Sequence, residues 1–203
     1  MPLGLLAELV ATVQAGQSLI SFPTDTLPAL AARPDCADLI FMAKQRSFDK
    51  PLILLAATAA DLWPYVGGTT TERQVWQRVV DRHWPGALTL VLPASNLVPV
   101  TMNPQDPTTI GVRVPNGAIA QAILAQTGPL ATTSANRSGQ PALLTMAAIA
   151  AEFPQVFTLA PTELGHLPAA EIAASASGIA STVAKWTGAG WTILRQGAVQ
   201  IQS

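Results

Sequence analysis

Short apolar runs rich in β-branched residues alternate with longer segments of helical period along this chain, and nothing else in it restricts the fold as much. Leu5, Leu6, Leu9, Val10 and Val13 recur at helical spacing, and Gly16 stands where a helix stop belongs. Residues 18–22 read as a strand that runs into Pro23-Thr24-Asp25-Thr26, a turn rich in hydroxyls. A second helix is predicted from Asp35 to near Arg46, burying Leu39, Ile40, Met42 and Ala43, and residues 52–55 follow as a buried strand. Thr69 and Glu72 have capping-box spacing for a helix to about His83, with Val75, Trp76, Val79 and Val80 inward and Trp84-Pro85-Gly86 as its stop. Residues 87–92 and 109–114 read as strands, separated by a Pro- and Asn-rich loop at 93–107. Asn116 is expected to cap a helix to Thr127, closed by Gly128, and residues 145–153 form another helix. Residues 130–133, 156–159, 181–184 and 192–195 supply further strands, with 199–201 as an additional candidate. Several strands are joined by loops rather than helices. The expected fold is therefore α/β, with a mixed, twisted sheet and flanking helices; one domain over residues 1–203 is the default, and two small ones are possible.

Composition narrows the function classes. Hydrophobic residues make up 49% of the chain and charged residues 11%, which excludes disorder and allows a sizeable core. A formal net charge of -1 gives no overall basic field, so any RNA contact has to be local. Cys36 is the single cysteine and has no metal-ligand neighbours, while His83 and His166 are isolated and read as packing or surface residues. Glu8 interrupts an N-terminal stretch that lacks a basic region, and no apolar run reaches the roughly 18 residues of a membrane span. A soluble, cytoplasmic protein is expected. The phosphate-loop and dinucleotide-binding glycine motifs are missing, as are a nucleophile triad, paired carboxylates and a metal-ligand cluster.

The chemistry-bearing residues are cations and hydroxyls. Lys44, Arg46 and Lys50 fall within Lys-Gln-Arg-Ser-Phe-Asp-Lys, in a chain with only 11 lysines and arginines. Far downstream, Thr133-Ser134-Ala135-Asn136-Arg137-Ser138-Gly139 follows an apolar run. Such groups hold phosphates well, Lys as a point charge and Arg as a planar fork; a solvated helix end beside an ordinary turn is the other reading. Arg113 lies within an apolar strand and needs a partner, either a structural carboxylate or an anionic ligand, and both stand on this evidence. Polar residues at strand ends, such as Ser181 and Arg195, sit where α/β sheets build sites.

From Phe22 to Gly197 the chain resembles the YrdC-type threonylcarbamoyl-AMP synthases in their short form, without an extra C-terminal domain. The markers occur in family order: Pro23-Thr24-Asp25-Thr26; Lys44-Gln-Arg46 with Lys50-Pro51-Leu52; Trp84-Pro85-Gly86-Ala87-Leu88-Thr89; Gly111-Val112-Arg113-Val114-Pro115; Ser134-Ala135-Asn136 with Ser138-Gly139; Ser181-Thr182-Val183; and Ile193-Leu194-Arg195-Gln196-Gly197. The resemblance implies a single domain with a twisted, open mixed sheet and a concave, positively charged face. It also implies a nucleotidyltransferase that makes threonylcarbamoyl-AMP and pyrophosphate from L-threonine, bicarbonate and ATP with Mg2+, for threonylcarbamoyl-adenosine in tRNA. It implies Lys44, Arg46, Ser134 and Asn136 around the reacting groups. Arg46, Lys50, Thr109, Ser134 and Arg195 are implied for ATP, and Thr26, Arg113, Thr132 and Ser181 for threonine. No protein-held metal site is implied. Handover to the tRNA threonylcarbamoyl transferase and a contact with tRNA or double-stranded RNA are implied partners. The alternative is a non-catalytic RNA-binding module of the same fold.

The chain also departs from the pattern. Members usually read Thr-Asp-Thr-Val-Tyr-Gly-Leu, and here Leu27-Pro28-Ala29-Leu30 completes that motif. Pro28 removes an aromatic ring and a backbone donor, and Ala29 takes positive φ less readily than Gly. Leu55 stands where some members have His, and Ala142 where the family has Ser. Ala184-Lys185 replaces Val-Asp, and Gln196 replaces Pro. The cations and hydroxyls survive and the aromatic wall does not, so threonine contacts are expected to differ more than ATP contacts.

Overall fold

The computed structural model describes residues 3–45, 47, 50–160 and 177–201. Its elements are β1 (Leu3–Gly4), α1 (Leu6–Gln14), β2 (Ile20–Phe22), β3 (Ala29–Ala32), α2 (Asp38–Lys44), β4 (Ile53–Leu55), α3 (Ala59–Leu62), α4 (Thr70–His83), β5 (Leu88–Pro93), β6 (Thr109–Arg113), α5 (Ala118–Thr127), β7 (Leu130–Ser134), α6 (Met146–Glu152), β8 (Phe157–Leu159), β9 (Thr182–Trp186) and β10 (Trp191–Arg195). All ten described strands belong to one mixed sheet, in the order β1-β8-β2-β3-β7-β4-β6-β5-β9-β10.

Alternation along the strands divides the core into two layers. Leu30, Leu54, Leu88, Leu90, Val112 and Ala131 face one side and pack with Ile40 and Phe41 of α2, Trp76 and Val80 of α4, and Ile149 of α6. Ile20, Phe22, Ala29, Leu55 and Leu130 face the other side and pack with Leu9 and Val13 of α1 and Ile119 and Ile123 of α5. Along β6, β5 and β9 this second face carries Gly111, Arg113, Thr89 and Val183, none of which belongs to either hydrophobic cluster. The floor turns polar there, and the site is built there.

Local chemistry set most boundaries. Thr69 Oγ1 accepts from the Glu72 amide while Glu72 Oε2 accepts from the Thr69 amide, as the capping-box spacing predicted. Five expectations need correction. Met42, expected on the buried side of its helix, is exposed. Strand β3 was not read, because Ala29–Ala32 has weak strand propensity and is held by β2 and β7 instead. The helix expected from Asp35 divides into a 3-10 turn at Pro34–Cys36 and α2. Gly117, not Asn116, is the N-cap residue of α5. Residues 199–201 form no strand; the Val199 carbonyl instead accepts side-chain hydrogen bonds from Thr182 Oγ1 at 2.6 Å and Gln196 Nε2 at 2.9 Å.

Candidate active site

A cavity of about 290 Å3 opens on the polar part of the sheet, and Thr26, Lys44, Lys50, Arg113, Thr132, Ser134, Asn136, Ser181 and Arg195 all line it. Residues as far apart in sequence as Lys50 and Arg195 therefore meet at one hollow. Among the described residues, one proposed from the sequence is not part of its lining. Thr109 lies on the same face of β6, two positions before Gly111, and its hydroxyl is engaged by Asn103 Nδ2 at 3.1 Å and by Asp106. Arg46 lies outside the described residues, as does His166.

Arg113 shows how an apolar strand carries a cation. The residue is 5% exposed. Its Nε donates to the Gly86 carbonyl at 2.8 Å, one terminal nitrogen to Thr26 Oγ1 at 2.7 Å and the other to Asp25 Oδ1 at 2.5 Å. Desolvation lowers the guanidinium's pKa; Asp25 opposes the shift, and the charge on Arg195 adds to it. The structural-carboxylate reading thus holds for one side of the fork. A guanidinium has five N–H groups, so two remain for a ligand. Asp25 went unassigned in the sequence reading, although the polar turn after a strand was its signal. The Trp84-Pro85-Gly86 motif also acquires a physical role. A Cβ on Gly86 would lie 2.3 Å from the His83 carbonyl oxygen, so only glycine lets this turn present its own carbonyl to Arg113.

Lys44 is the last residue of α2, and the chain leaves it through Gln45 in the left-handed region at φ 48°. The solvated-helix-end reading fails for Lys44, which is 2% exposed. Its Nζ donates to the Ser134 carbonyl at 2.5 Å, to Asn136 Oδ1 at 3.2 Å and to Thr133 Oγ1 at 3.4 Å. Ser134 Oγ also donates to Asn136 Oδ1 at 2.6 Å, and Asn136 Nδ2 is anchored on the Arg137 and Gln140 carbonyls. The Ser-Ala-Asn turn and the helix end form one preorganised cluster. Thr132 Oγ1 donates to the Ile53 carbonyl at 2.9 Å across the β4–β7 pairing.

Arg195 reaches the cavity because of a register shift. Trp191 and Ile193 pair with Trp186 and Ala184, but Arg195 pairs with Val183, so Leu194 is an extra residue. Directly paired residues share a face, so the bulge moves Arg195 from the side of Trp191 to the cavity side. There its Nε donates to the Ser181 carbonyl at 3.0 Å and a terminal nitrogen donates to Ser181 Oγ at 3.2 Å. Ser181 Oγ shares a 2.8 Å hydrogen bond with Thr89 Oγ1, a wholly buried hydroxyl that the sequence reading passed over. Burial lowers the Arg195 pKa.

The departures have visible consequences. Ala29 is extended within β3, and Gln45 is the sole non-glycine residue with positive φ among those described, so the expected strain at Ala29 does not arise. Pro28 precedes the strand, where its missing N–H breaks no ladder bond, and its carbonyl accepts from the Ala135 amide at 2.9 Å. Pro28, Ala29 and Leu55 form an apolar wall of the cavity.

The Sua5/YciO/YrdC family profile, described as telomere recombination, matches residues 12–197. A threonylcarbamoyl-AMP synthase of Vibrio cholerae serotype O1 is 39% identical over 145 residues, covering 69% of this chain and 75% of that protein. One from Escherichia coli K12 is 32% identical over 153 residues, covering 73% of this chain and 80% of its own. P. abyssi Sua5 complexed with L-threonine superposes with a TM-score of 0.78 at 28% identity over 95% of this chain; the match spans 54% of Sua5, about half its length. E. coli YciO shares the fold at a TM-score of 0.76 and 22% identity, covering 96% of this chain and 90% of its own.

Proposed function

The chain belongs to the Sua5/YciO/YrdC family, and on that premise we propose that it is an L-threonylcarbamoyladenylate synthase, a nucleotidyltransferase acting on L-threonine, bicarbonate and ATP. The observation that carries the proposal is the convergence of Lys44, Lys50, Arg113 and Arg195 on one cavity. A non-catalytic RNA-binding role calls for exposed cations, whereas Lys44 and Arg113 are buried against this cavity.

The substrates are anions that must approach each other. The threonine amine attacks bicarbonate, forming a carbamate and releasing water. A carbamate oxygen then attacks the α-phosphate, a new P–O bond forms, and the bond to the β-phosphate breaks as pyrophosphate leaves. Catalysis here is positioning and charge neutralisation. The two free N–H groups of Arg113 suit the threonine carboxylate, which would also ease the repulsion between Arg113 and Arg195. Thr26, Thr132 and Ser181 complete the proposed threonine pocket. Lys44, Ser134 and Asn136 stand at the reacting centre. Lys50, Arg46, Arg195 and Thr109 are assigned to the nucleotide, Thr109 beyond the cavity itself. Mg2+ would be carried in with the ATP and would neutralise part of its charge, and the side-chain oxygens of Ser134 and Asn136 are the groups that would face it. The product is a labile mixed anhydride, which fits handover to a tRNA threonylcarbamoyl transferase. Among the described residues no helix is long and apolar enough to cross a membrane, and we assign the protein to the cytoplasm.

Purified protein should release pyrophosphate from ATP only when threonine and bicarbonate are both present. Lys50→Ala should raise the KM for ATP, and Arg113→Lys should raise the KM for threonine by at least about tenfold, since Lys cannot reproduce the fork. Release that ignores threonine would refute the proposal. Equal losses for both substrates in both variants would refute the division of roles.

A further inference from the structure

A second groove of about 290 Å3 lies between α4 and the β9–β10 hairpin. Trp186 and Trp191 form its floor, Val75 and Val79 its wall, and Arg78 and Arg82 its rim. The floor is fixed. Trp186 Nε1 donates to Glu72 Oε1 at 2.9 Å, and its ring meets Trp76 at 6.1 Å and Trp191 at 5.2 Å, both edge-on. The rim is not. Arg78 and Arg82 are exposed and one helical turn apart, and among the described residues neither has a hydrogen-bond or ion-pair partner. Of the acidic residues on α4, Asp81 accepts from Gln77 Nε2 at 2.7 Å and Glu72 is bound to Thr69 and Trp186. Trp191 lies on the side of β10 opposite to Arg195, so the groove and the catalytic cavity sit on opposite faces of the same strand.

We infer that this groove binds single-stranded RNA, one base stacking on the Trp191 side of the floor and the flanking phosphates held by Arg78 and Arg82. Two adjacent planar forks with no internal counter-ion complement phosphate oxygens. An indole floor beside them complements a base, whose π-face is available whatever the sequence. In double-stranded RNA the bases are stacked inside the helix and cannot reach such a floor, so the occupant is a single strand. An acidic peptide would satisfy the arginines and leave the tryptophans unused. With a net charge of -1 the protein gains little from its overall field, so binding depends on these groups.

The test is fluorescence anisotropy of a labelled oligouridylate of about ten nucleotides, read at several salt concentrations with the intact protein. Binding should weaken with salt at a log–log slope of about -1.4, the value for two phosphate contacts on a single strand. Arg78→Glu with Arg82→Glu should weaken it by at least about tenfold, and Trp191→Leu should remove the quenching of tryptophan fluorescence that stacking produces. Pyrophosphate release should be unchanged in the arginine variant, which separates failure here from failure of the synthase assignment. No binding by the native protein, binding unchanged in the arginine variant, or equal affinity for a duplex would each overturn the inference. Displacement by an equal concentration of uridine monophosphate would assign the groove to free nucleotides and overturn it too.

Discussion

Arg195 is held by hydroxyls that solvent does not reach. Its guanidinium rests on Ser181, and Ser181 Oγ rests on Thr89 at 2.8 Å. Thr89 touches no assigned substrate group, so it acts through Ser181 as a positioning residue. Thr89→Val keeps the shape and removes the hydroxyl. A neutral hydrogen bond contributes about 0.5–1.5 kcal/mol, so the KM for ATP, through Arg195, and the KM for threonine, through Ser181, should each rise about twofold to tenfold, with kcat little changed. Thr89→Ser should restore both. Steady-state pyrophosphate release checks this, and a lower thermal midpoint with both KM values unchanged would make Thr89 merely structural. Half of this relation was legible: a polar residue interrupting Leu88–Pro93 is visible in the sequence. Its partner is 92 residues away and was not. Arg113 repeats the pattern, since an arginine in an apolar run announces a need for a counter-charge. Which of the 12 acidic residues answers it is decided by the fold that brings Asp25 across 88 positions.

Among the elements, β10 shows how a single extra residue decides which face a charge serves. Strict alternation would place Arg195 with Trp191 and Ile193 on the α4 side; the bulge at Leu194 turns it to the cavity. Inserting an alanine between Leu194 and Arg195 should leave β9 and β10 paired but carry Arg195 past its place opposite Val183 and so misdirect it. Activity should fall by at least about a hundredfold, as expected when a positioned group is displaced. Leu194→Ala keeps the bulge and should change activity by less than about twofold, because Leu194 is an exposed side chain. Turnover, read beside the thermal midpoint of each variant, distinguishes misdirection from unfolding. The strand at 192–195 could be read from its residues, whereas the bulge could not, since a register exists only relative to a partner. The end of that motif has a steric cause as well. A Cβ on Gly197 would lie 2.4 Å from the Ala180 carbonyl oxygen, so the chain must pass there as glycine.

For the molecule as a whole, Glu72 ties a helix layer to the far end of the sheet. Its carboxylate accepts from the Thr69 amide, Thr69 Oγ1 and Trp186 Nε1, each at 2.9 Å. These bonds favour the ionised form and hold the Glu72 pKa below its ordinary value of 4.5. A lowered carboxylate pKa contributes stability that is complete above the unfolded value and is lost as pH falls through the folded one. The gap in thermal midpoint between the native protein and Glu72→Gln should therefore hold steady from neutral pH down to about 5 and close below about 4.5. Unfolding followed by tryptophan fluorescence measures it, and a gap that persists undiminished into strong acid would contradict the linkage.

Taken alone, the order of residues determined that this chain alternates strands and helices, where its polar turns fall, and which cations and hydroxyls are available. Periodicity, capping and apolar patterning act over a few neighbours and so are written locally. The sheet order, the face that stays open, the Asp25–Arg113 and Thr89–Ser181–Arg195 contacts and the turn of Arg195 across its strand were decided only in three dimensions. Each depends on which distant segments pair and in what register, and that is settled by burial summed over the whole core rather than by any stretch of sequence.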